Sequence, residues 1–206
     1  MGFGNKTVKP FILGVTGVVA GGKSVFCRFL EENFGFHWIN ADKLVHELYL
    51  AGKEGYMKIK ENFGEKFVDV KEVDRILLRE FVLKNPEKLR ILNKIIHPMV
   101  EGEVNKKVVQ FEVSSKGKNK ILIVIEAVYF ESNMLGKFID RKILIDASDN
   151  VILKRLKKRK IPKEQARRLV KFQREVLPKR VEKIENNGTL DEFFEKARKW
   201  AGSLLQ

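Results

Sequence analysis

Cysteine and long apolar runs are almost absent from this chain of 206 residues. Its single cysteine, Cys27, excludes an internal disulfide, which suits a reducing compartment. The longest aliphatic run, Ile121–Ile125, has the size of a strand and is far too short to span a membrane. The first residues, Met1–Pro10, contain no apolar segment of the kind found in export signals. We therefore expect a cytoplasmic protein with no membrane partner.

The chain also lacks internal repeats, low-complexity tracts and linkers rich in Pro, Gly or Ser. Apolar residues make up 44% of the chain, and it contains 15 phenylalanines, so a sizeable hydrophobic core can form. These properties predict one domain, with or without lobes inserted into its core.

Acidic residues are outnumbered by basic ones, with 27 Asp and Glu against 41 Lys and Arg and a formal net charge of +14. The excess includes the basic run from Lys154 to Lys160, which suggests a nucleic-acid surface. Two alternatives compete with that interpretation: ion pairs that support stability at high temperature, and a positive field that concentrates phosphate-bearing substrates. Aromatic residues that would stack on bases are not interleaved with the basic ones. We therefore expect no nucleic-acid partner.

Short apolar runs alternate with helical patterns along much of the chain. We predict five strands, at Phe11–Thr16, His37–Asn40, Ile121–Ile125, Lys142–Ile145 and Glu182–Glu185. The helices predicted around them are Lys23–Asn33, Asp149–Arg159, Glu164–Gln173 and a last one that opens with the capping-box pattern Thr189-Leu190-Asp191-Glu192. The alternation predicts an α/β fold of the P-loop NTPase type, with a five-stranded parallel sheet and helices on both faces.

The stretch between the second and third strands is too long for a simple crossover. It contains predicted helices at Asp74–Leu83 and Glu87–Ile96, and another is expected to start after Pro98. We interpret the stretch as an inserted helical lobe. The predicted organisation is a core at about residues 10–42, 119–153 and 181–206, a helical lobe at about 43–118 and a small basic lid at about 154–180.

A phosphate-binding loop is predicted between the first strand and the first helix. The segment Gly17-Val18-Val19-Ala20-Gly21-Gly22-Lys23-Ser24 fits the pattern G-x-x-x-x-G-K-[ST] at every fixed position. A phosphate chain needs many N–H donors at close range, and only small residues let the backbone wrap it. The N-terminus of the following helix, with Val25, points at the same phosphates. Lys23 is expected to reach the β- and γ-phosphates of ATP, and Ser24 to take one position on Mg²⁺.

Several classes of protein share this loop. A switch GTPase would also carry an N-K-x-D motif for guanine, yet Asn119-Lys120 is followed by Ile-Leu. A motor ATPase is usually larger and carries an Asp that closes an apolar strand. A small chain with inserted helical lobes, one of them basic, is typical of small-molecule kinases, whose lobes close over two substrates and exclude water.

Beyond the loop, the sequence resembles dephospho-coenzyme A kinases over nearly its whole length. Asn40-Ala41-Asp42 follows the second strand where the family has Asp-Ala-Asp, and Asp74-Arg75 with Leu78-Arg79 is similar to its D-R-x-x-L-R. Further along, Ile96-His97-Pro98 resembles the family's L-H-P, and Leu153-Lys154-Arg155 resembles its L-x-R. Near the end of the chain, Ile184-Glu185-Asn186-Asn187-Gly188 is similar to its I-D-N-x-G. The resemblance implies that ATP with Mg²⁺ and dephospho-coenzyme A are the reactants.

The resemblance also implies roles for individual residues. Asp42 would be the general base for the acceptor hydroxyl, although a carboxylate at this place also suits a helix N-cap. Arg155 would contact the phosphates of ATP. Arg75 and His97 would line the acceptor pocket, although a histidine before proline often only packs at a helix boundary. Asn187-Gly188 would form the loop against the adenine, although this pair is also common in turns.

The chain departs from the family pattern in three places. Asn40 replaces the first Asp of the family motif, which bears on metal-bound water or acceptor contacts rather than on the base. Ile125–Glu131 lacks the proline of V-P-L-L-F-E, and Glu126 instead ends the third strand, where we predict that it holds a Mg²⁺-bound water. The lid is shorter than usual, so its phosphate partners stay open among Lys171, Arg174 and Arg180.

The sequence thus predicts an ATP-dependent kinase in which Asp42, Lys23 and Arg155 are catalytic. One alternative is another small P-loop kinase that acts on a nucleoside, a nucleotide or a shikimate-like acceptor. A second alternative, from a different class, is a regulatory protein that binds nucleotide and RNA. Acceptor-dependent turnover of ATP separates the two kinases from the regulatory protein.

Overall fold

The computed structural model describes residues 8–115, 117, 119–128, 130 and 135–205. Its sheet is built from five parallel strands, β1 (Phe11–Thr16), β2 (His37–Asn40), β3 (Leu122–Glu126), β4 (Arg141–Asp146) and β5 (Glu182–Glu185). Their order across the sheet is β2-β3-β1-β4-β5. The predicted fold class is therefore confirmed. Three strands have the predicted bounds, β3 lies one residue later, and β4 gains one residue at each end.

The described residues include eight α-helices: α1 (Lys23–Phe34), α2 (Ala41–Leu48), α3 (Glu54–Phe63), α4 (Arg75–Leu83), α5 (Pro86–Ser114), α6 (Asp149–Lys158), α7 (Lys163–Val176) and α8 (Leu190–Leu205). The predicted capping box is present at the start of α8, where the Thr189 N–H donates to Glu192 Oε2 and the Glu192 N–H donates to Thr189 Oγ1. No helix within the described ranges is long and apolar enough to cross a bilayer. The segment Met1–Pro10, predicted to lack an export signal, lies mostly outside the described residues.

Helix α5 runs without a break through Pro98, so the prediction that a new helix starts after this proline is wrong. A proline inside a helix removes one backbone hydrogen bond and costs about 3 kcal/mol. Ile96, Val100, Val104 and Val108 recur every four residues across the proline, and none of them is more than 6% exposed. The four side chains therefore lie on one buried face of the helix, before and after the proline. Their burial offsets the cost of the proline.

The central strand β1 is buried along almost its whole length, as expected for a parallel strand covered on both faces. Leu13 and Val15 belong to a core that also contains Phe26 from α1 and Trp200 from α8. The Phe26 and Trp200 rings meet edge to face, with 5.6 Å between their centroids. This packing fixes α1, and with it the loop that precedes α1.

The chain separates into two compact units. The first comprises residues 1–40 and 108–206 and carries the sheet with α1, α6, α7 and α8. The second, Ala41–Lys107, carries α2, α3, α4 and most of α5. Phe67 is fully buried in the second unit and packs on Phe81, with 5.0 Å between ring centroids. In the first unit, α6 and α7 share a small apolar core with Val18 of the loop.

Candidate active site

The predicted phosphate-binding loop, Gly17–Ser24, connects the end of β1 to α1. The chain places β2 and β3 on one side of β1, and β4 and β5 on the other. The loop therefore lies at the carboxyl edge of the sheet, at a topological switch point. Open α/β sheets bind their ligands at such points.

Lys23 folds back over the loop that precedes it. Its ammonium donates to the carbonyl oxygens of Gly17, at 2.9 Å, and of Val18, at 3.2 Å. The residue is only 6% exposed, and a buried ammonium requires such partners. The lysine predicted to reach the β- and γ-phosphates is thus held at the loop by the loop's own backbone.

Arg155, on α6, holds the loop from another direction. Its guanidinium donates to the carbonyl oxygen of Ala20 at 3.1 Å and to Asn186 Oδ1 at 3.1 Å. The Asn186 side chain in turn donates to the Gly21 carbonyl at 2.9 Å. These contacts hold the carbonyl groups of Ala20 and Gly21 in place and so order this part of the loop. An ordered loop of small residues can present backbone N–H groups to an anion.

Burial lowers the pKa of the Arg155 guanidinium, and the nearby Arg159 acts in the same direction. An arginine nevertheless remains charged at physiological pH. Arg155 therefore brings a permanent positive charge to the loop.

Two positions in the loop require glycine. Gly22 has a φ of +116°, and a Cβ added there would collide with the side-chain amide of Asn186. Gly17 has a φ of +149°, and a Cβ there would collide with the carbonyl oxygen of Ile145. Both the positive φ and the close neighbours exclude larger residues, which explains why the motif needs glycine at its fixed positions.

Ser24, at the start of α1, forms a hydrogen-bonded set with Asn40 and Glu126, which end β2 and β3. Ser24 Oγ donates to Glu126 Oε1 at 2.7 Å, and Asn40 Nδ2 donates to Glu126 Oε2 at 2.9 Å. Glu126 is only 3% exposed. An aspartate at position 40 would set two carboxylates against each other here, which gives a physical reason for the asparagine. Of the segment that lacks the expected proline, Tyr129 and Glu131 lie outside the described residues.

The Ser24 hydroxyl and the Glu126 carboxylate fit Mg²⁺. Magnesium prefers oxygen ligands, keeps several of its waters, and is usually bound by one or two protein groups together with phosphate oxygens. Ser24 is exposed at the start of α1, whereas Glu126 is buried behind it. This arrangement suits direct contact from the hydroxyl and contact through water from the carboxylate.

Cys27 lies one turn along α1 and is fully buried. Burial raises the pKa of its thiol well above the ordinary value, and Glu126 acts in the same direction. The thiol is therefore protonated and packs as a small apolar group.

Of the three lid cations predicted as possible phosphate partners, Lys171 and Arg174 line one cavity, and Arg180 is not among the residues that line it. Arg174 is engaged at the end of β4, where it donates to Asp149 Oδ1, Asp146 Oδ1 and the Ala147 carbonyl. Lys171 lines a cavity of about 570 Å³ between α6 and α7. Arg180 is exposed in the segment between α7 and β5. Arg174 is thus placed as a tether of α7.

The predicted adenine loop connects β5 to α8. Asn187 Oδ1 accepts from the N–H of Ser148, at 2.7 Å, just before α6 begins. A Cβ on Gly188 would collide with the Glu192 carboxylate of the capping box. Both residues therefore have structural contacts in this unit, and their contact with adenine stays a prediction.

The second unit carries the residues predicted for the acceptor. Asp42 is exposed in the first turn of α2, which begins directly after β2, so it is not the residue that precedes the helix. Arg75 opens α4, and His97 is half-buried on α5. Burial raises the pKa of Tyr49, while Arg75 and Arg79 act in the opposite direction. The phenol therefore stays neutral, with the two arginines close enough to oppose part of the effect of burial on its pKa.

Three residues at these sites were not among the predicted site residues. Asn186 belongs to the motif that was quoted for the adenine loop, yet its contact with Gly21 joins positions 165 residues apart. Gln173 accepts from the N–H of Val19 in the loop, at 2.7 Å. Arg79 lies four residues after Arg75, a spacing that places both on one face of α4. Only this last spacing is visible in the sequence.

Known proteins resemble this chain in sequence and in fold. A family model described as "CoaE: Dephospho-CoA kinase" matches residues 11–192. A protein of Fusobacterium nucleatum subsp. nucleatum named dephospho-CoA kinase is 34% identical over 200 residues, which cover 94% of this chain and 98% of that protein. The structure of a dephospho-CoA kinase from Campylobacter jejuni is 27% identical, with a TM-score of 0.61 over 94% of this chain and 96% of that one. A Thermus thermophilus crystal structure shares the fold, with a TM-score of 0.74 at 24% identity over 97% of this chain and 100% of that one.

Proposed function

The chain belongs to the dephospho-CoA kinase family, and from this premise we propose that it transfers the γ-phosphoryl group of ATP to the ribose 3′-hydroxyl of dephospho-coenzyme A. The products are coenzyme A and ADP. The observation that carries the proposal is the loop itself, whose carbonyls are held by Lys23, Arg155 and Asn186. Lys23 and Arg155 bring two positive charges to the loop. The Val19 and Gly21 N–H groups donate to Gln173 and to the Val18 carbonyl, so the other N–H groups of the loop are the proposed donors to a phosphate chain.

Phosphoryl transfer depends on positioning and charge more than on covalent help from the protein. We propose that Asp42 takes the proton of the 3′-hydroxyl as that oxygen bonds to the γ-phosphorus. The bond from the γ-phosphorus to the β-phosphate oxygen breaks at the same time. Lys23 and Arg155 offset the negative charge that spreads over the transferred group and the departing ADP.

Ser24 and Glu126 are proposed to hold Mg²⁺, with Glu126 acting through a water. When bound, the ion neutralises charge on the β- and γ-phosphate oxygens. The short hydrogen bond between the two side chains supports this assignment, because it brings a hydroxyl and a carboxylate together at the start of α1.

The second unit is proposed to bind the acceptor. Arg75 and Arg79 are both exposed on α4, and guanidinium groups pair well with phosphate oxygens such as those of the acceptor diphosphate. His97, on α5, is proposed as a further contact. We propose a cytoplasmic location, in keeping with the buried free thiol of Cys27.

The test of the function is a choice among acceptors. Incubated with ATP and Mg²⁺, the protein is expected to phosphorylate dephospho-coenzyme A and to leave AMP, adenosine and shikimate unchanged, with products identified by mass spectrometry. Turnover of one of the other acceptors would keep the kinase and remove the proposed substrate. ATP binding without any turnover would favour the regulatory alternative, for which salt-sensitive RNA binding is the next measurement.

The proposed role of Glu126 predicts an altered dependence on magnesium. Glu126→Gln keeps the size of the side chain and removes its charge, so the Mg²⁺ concentration for half-maximal activity should rise about tenfold to a hundredfold, as for other outer-sphere ligands. Glu185→Gln, at the end of β5, is the matched control and should leave this concentration unchanged. An unaltered magnesium dependence in Glu126→Gln would contradict the proposal.

A further inference from the structure

The peptide unit between Val18 and Val19 is bound at both of its ends. Its carbonyl oxygen accepts from Lys23 Nζ at 3.2 Å, and its N–H donates to Gln173 Oε1 at 2.7 Å. Gln173 belongs to α7, 154 residues further along the chain than Val19. One planar amide therefore connects a side chain of the basic lid segment to the lysine that is assigned to the phosphates of ATP.

Gln173 is held in position by its neighbours on α7. The next residue, Arg174, donates to Asp149 at 2.7 Å and to the Ala147 carbonyl at 2.7 Å. Almost one turn earlier, Val170 is buried in the same apolar cluster as Val18. These two contacts fix α7 against the loop, so the glutamine reaches the Val19 N–H from an ordered helix.

The two hydrogen bonds of this peptide reinforce each other. Donation by the Val19 N–H polarises the Val18 carbonyl, which then becomes a better acceptor for the Lys23 ammonium. Without the glutamine oxygen, the peptide plane also loses one of the contacts that resist its rotation, while the Gly21 N–H still donates to the Val18 carbonyl at 3.1 Å. Both effects weaken the hold of the Val18 carbonyl on the Lys23 ammonium, and the Gly17 carbonyl is then the stronger of its two partners.

We propose that Gln173 is a positioning residue for Lys23, acting through the Val18–Val19 peptide. The inference rests on the proposed function only in that Lys23 is taken to bind the phosphates of ATP. The acceptor oxygen of Gln173 is the group that matters. A leucine of similar size loses this oxygen, whereas a glutamate keeps it and adds a negative charge.

The test is a double-mutant cycle measured by calorimetric titration with ATP and Mg²⁺ in the absence of any acceptor. Gln173→Leu should weaken ATP binding about fivefold, the effect of one neutral hydrogen bond. In a Lys23→Met background, the same change should weaken binding less than about twofold, because the contact it supports is already lost. Gln165→Leu, on the same helix, should match the parent, because Gln165 makes no side-chain hydrogen bond within the described part of the chain.

Gln173→Glu separates positioning from folding. This variant should keep kcat near the parent value at saturating ATP and raise the KM for ATP, because the retained oxygen holds the peptide while the new charge repels the phosphates. Equal weakening by Gln173→Leu in both backgrounds, or no weakening in either, would overturn the proposal. Because the titration contains no acceptor, a failure to phosphorylate dephospho-coenzyme A would remove the proposed substrate and leave this test intact.

Discussion

Replacing Lys23 with alanine is expected to lower kcat for phosphoryl transfer about a thousandfold, the upper range for removing one donor from a preorganised anion site. The Lys23 ammonium is buried, and the carbonyl oxygens of two loop residues hold it near the N-terminus of α1. No other side chain of the motif carries a positive charge. Steady-state assays with ATP and dephospho-coenzyme A measure the loss.

The surface lysine Lys199, on α8, provides the matched control for this change. Lys199→Ala removes the same charge from an exposed position and should leave kcat within about twofold, because an exposed charge at the surface is screened by solvent. If Lys23→Ala retained more than about a tenth of the activity, the loop would not be acting through its lysine, and the assignment of the nucleotide site would be wrong.

Replacing Asp42 with asparagine is expected to lower kcat by about a hundredfold to ten-thousandfold, the range for loss of a general base. Asparagine keeps the shape of the side chain but accepts no proton at neutral pH. The affinity for ATP should change little, because the proposed role of Asp42 concerns the acceptor. Rapid-quench measurement of a single turnover reports the chemical step, and calorimetry reports the ATP affinity.

The control for Asp42→Asn must account for the position of Asp42 in the first turn of a helix. Asp42 lies in the first turn of α2, and Asp191 lies in the first turn of α8. Each carboxylate favours its helix through the positive end of the macrodipole, so Asp191→Asn reproduces the change in helix stability without touching the acceptor. If Asp42→Asn lost no more activity than Asp191→Asn, Asp42 would not be the group that accepts the proton of the 3′-hydroxyl.

The strands and the loop were predictable because their signals are local. A short apolar run indicates a buried strand whatever follows it, and this pattern predicted β1 with its observed bounds. The bounds of β2 and β5 were also predicted correctly, although these strands are short and contain polar residues. The two fixed glycines of Gly17–Ser24 are required by the backbone conformation of the loop and by its close neighbours, as the collisions at Gly17 and Gly22 demonstrate. The capping box of α8 is equally local, since its two partners are three residues apart.

The path of α5 was not predictable from the same rules. Pro98 is a strong local signal for a helix boundary, and it led to the prediction of two helices. Burial of the helix face that includes Val100 and Val104 outweighs that signal. Burial is a property of the folded chain, so a rule based on neighbouring residues does not include it.

Residue identities along the chain therefore established the nucleotide loop, the parallel sheet and the resemblance to a kinase family, because each depends on patterns within a few residues. Folding determined the partners of the site. The strand order sets β1 between β3 and β4, and this brings Glu126 to Ser24 across 102 positions and Arg155 to Ala20 across 135. Gln173 meets Val19 for the same reason. Hydrogen bonds at 3 Å depend on how distant segments pack, and no spacing in the sequence records that distance.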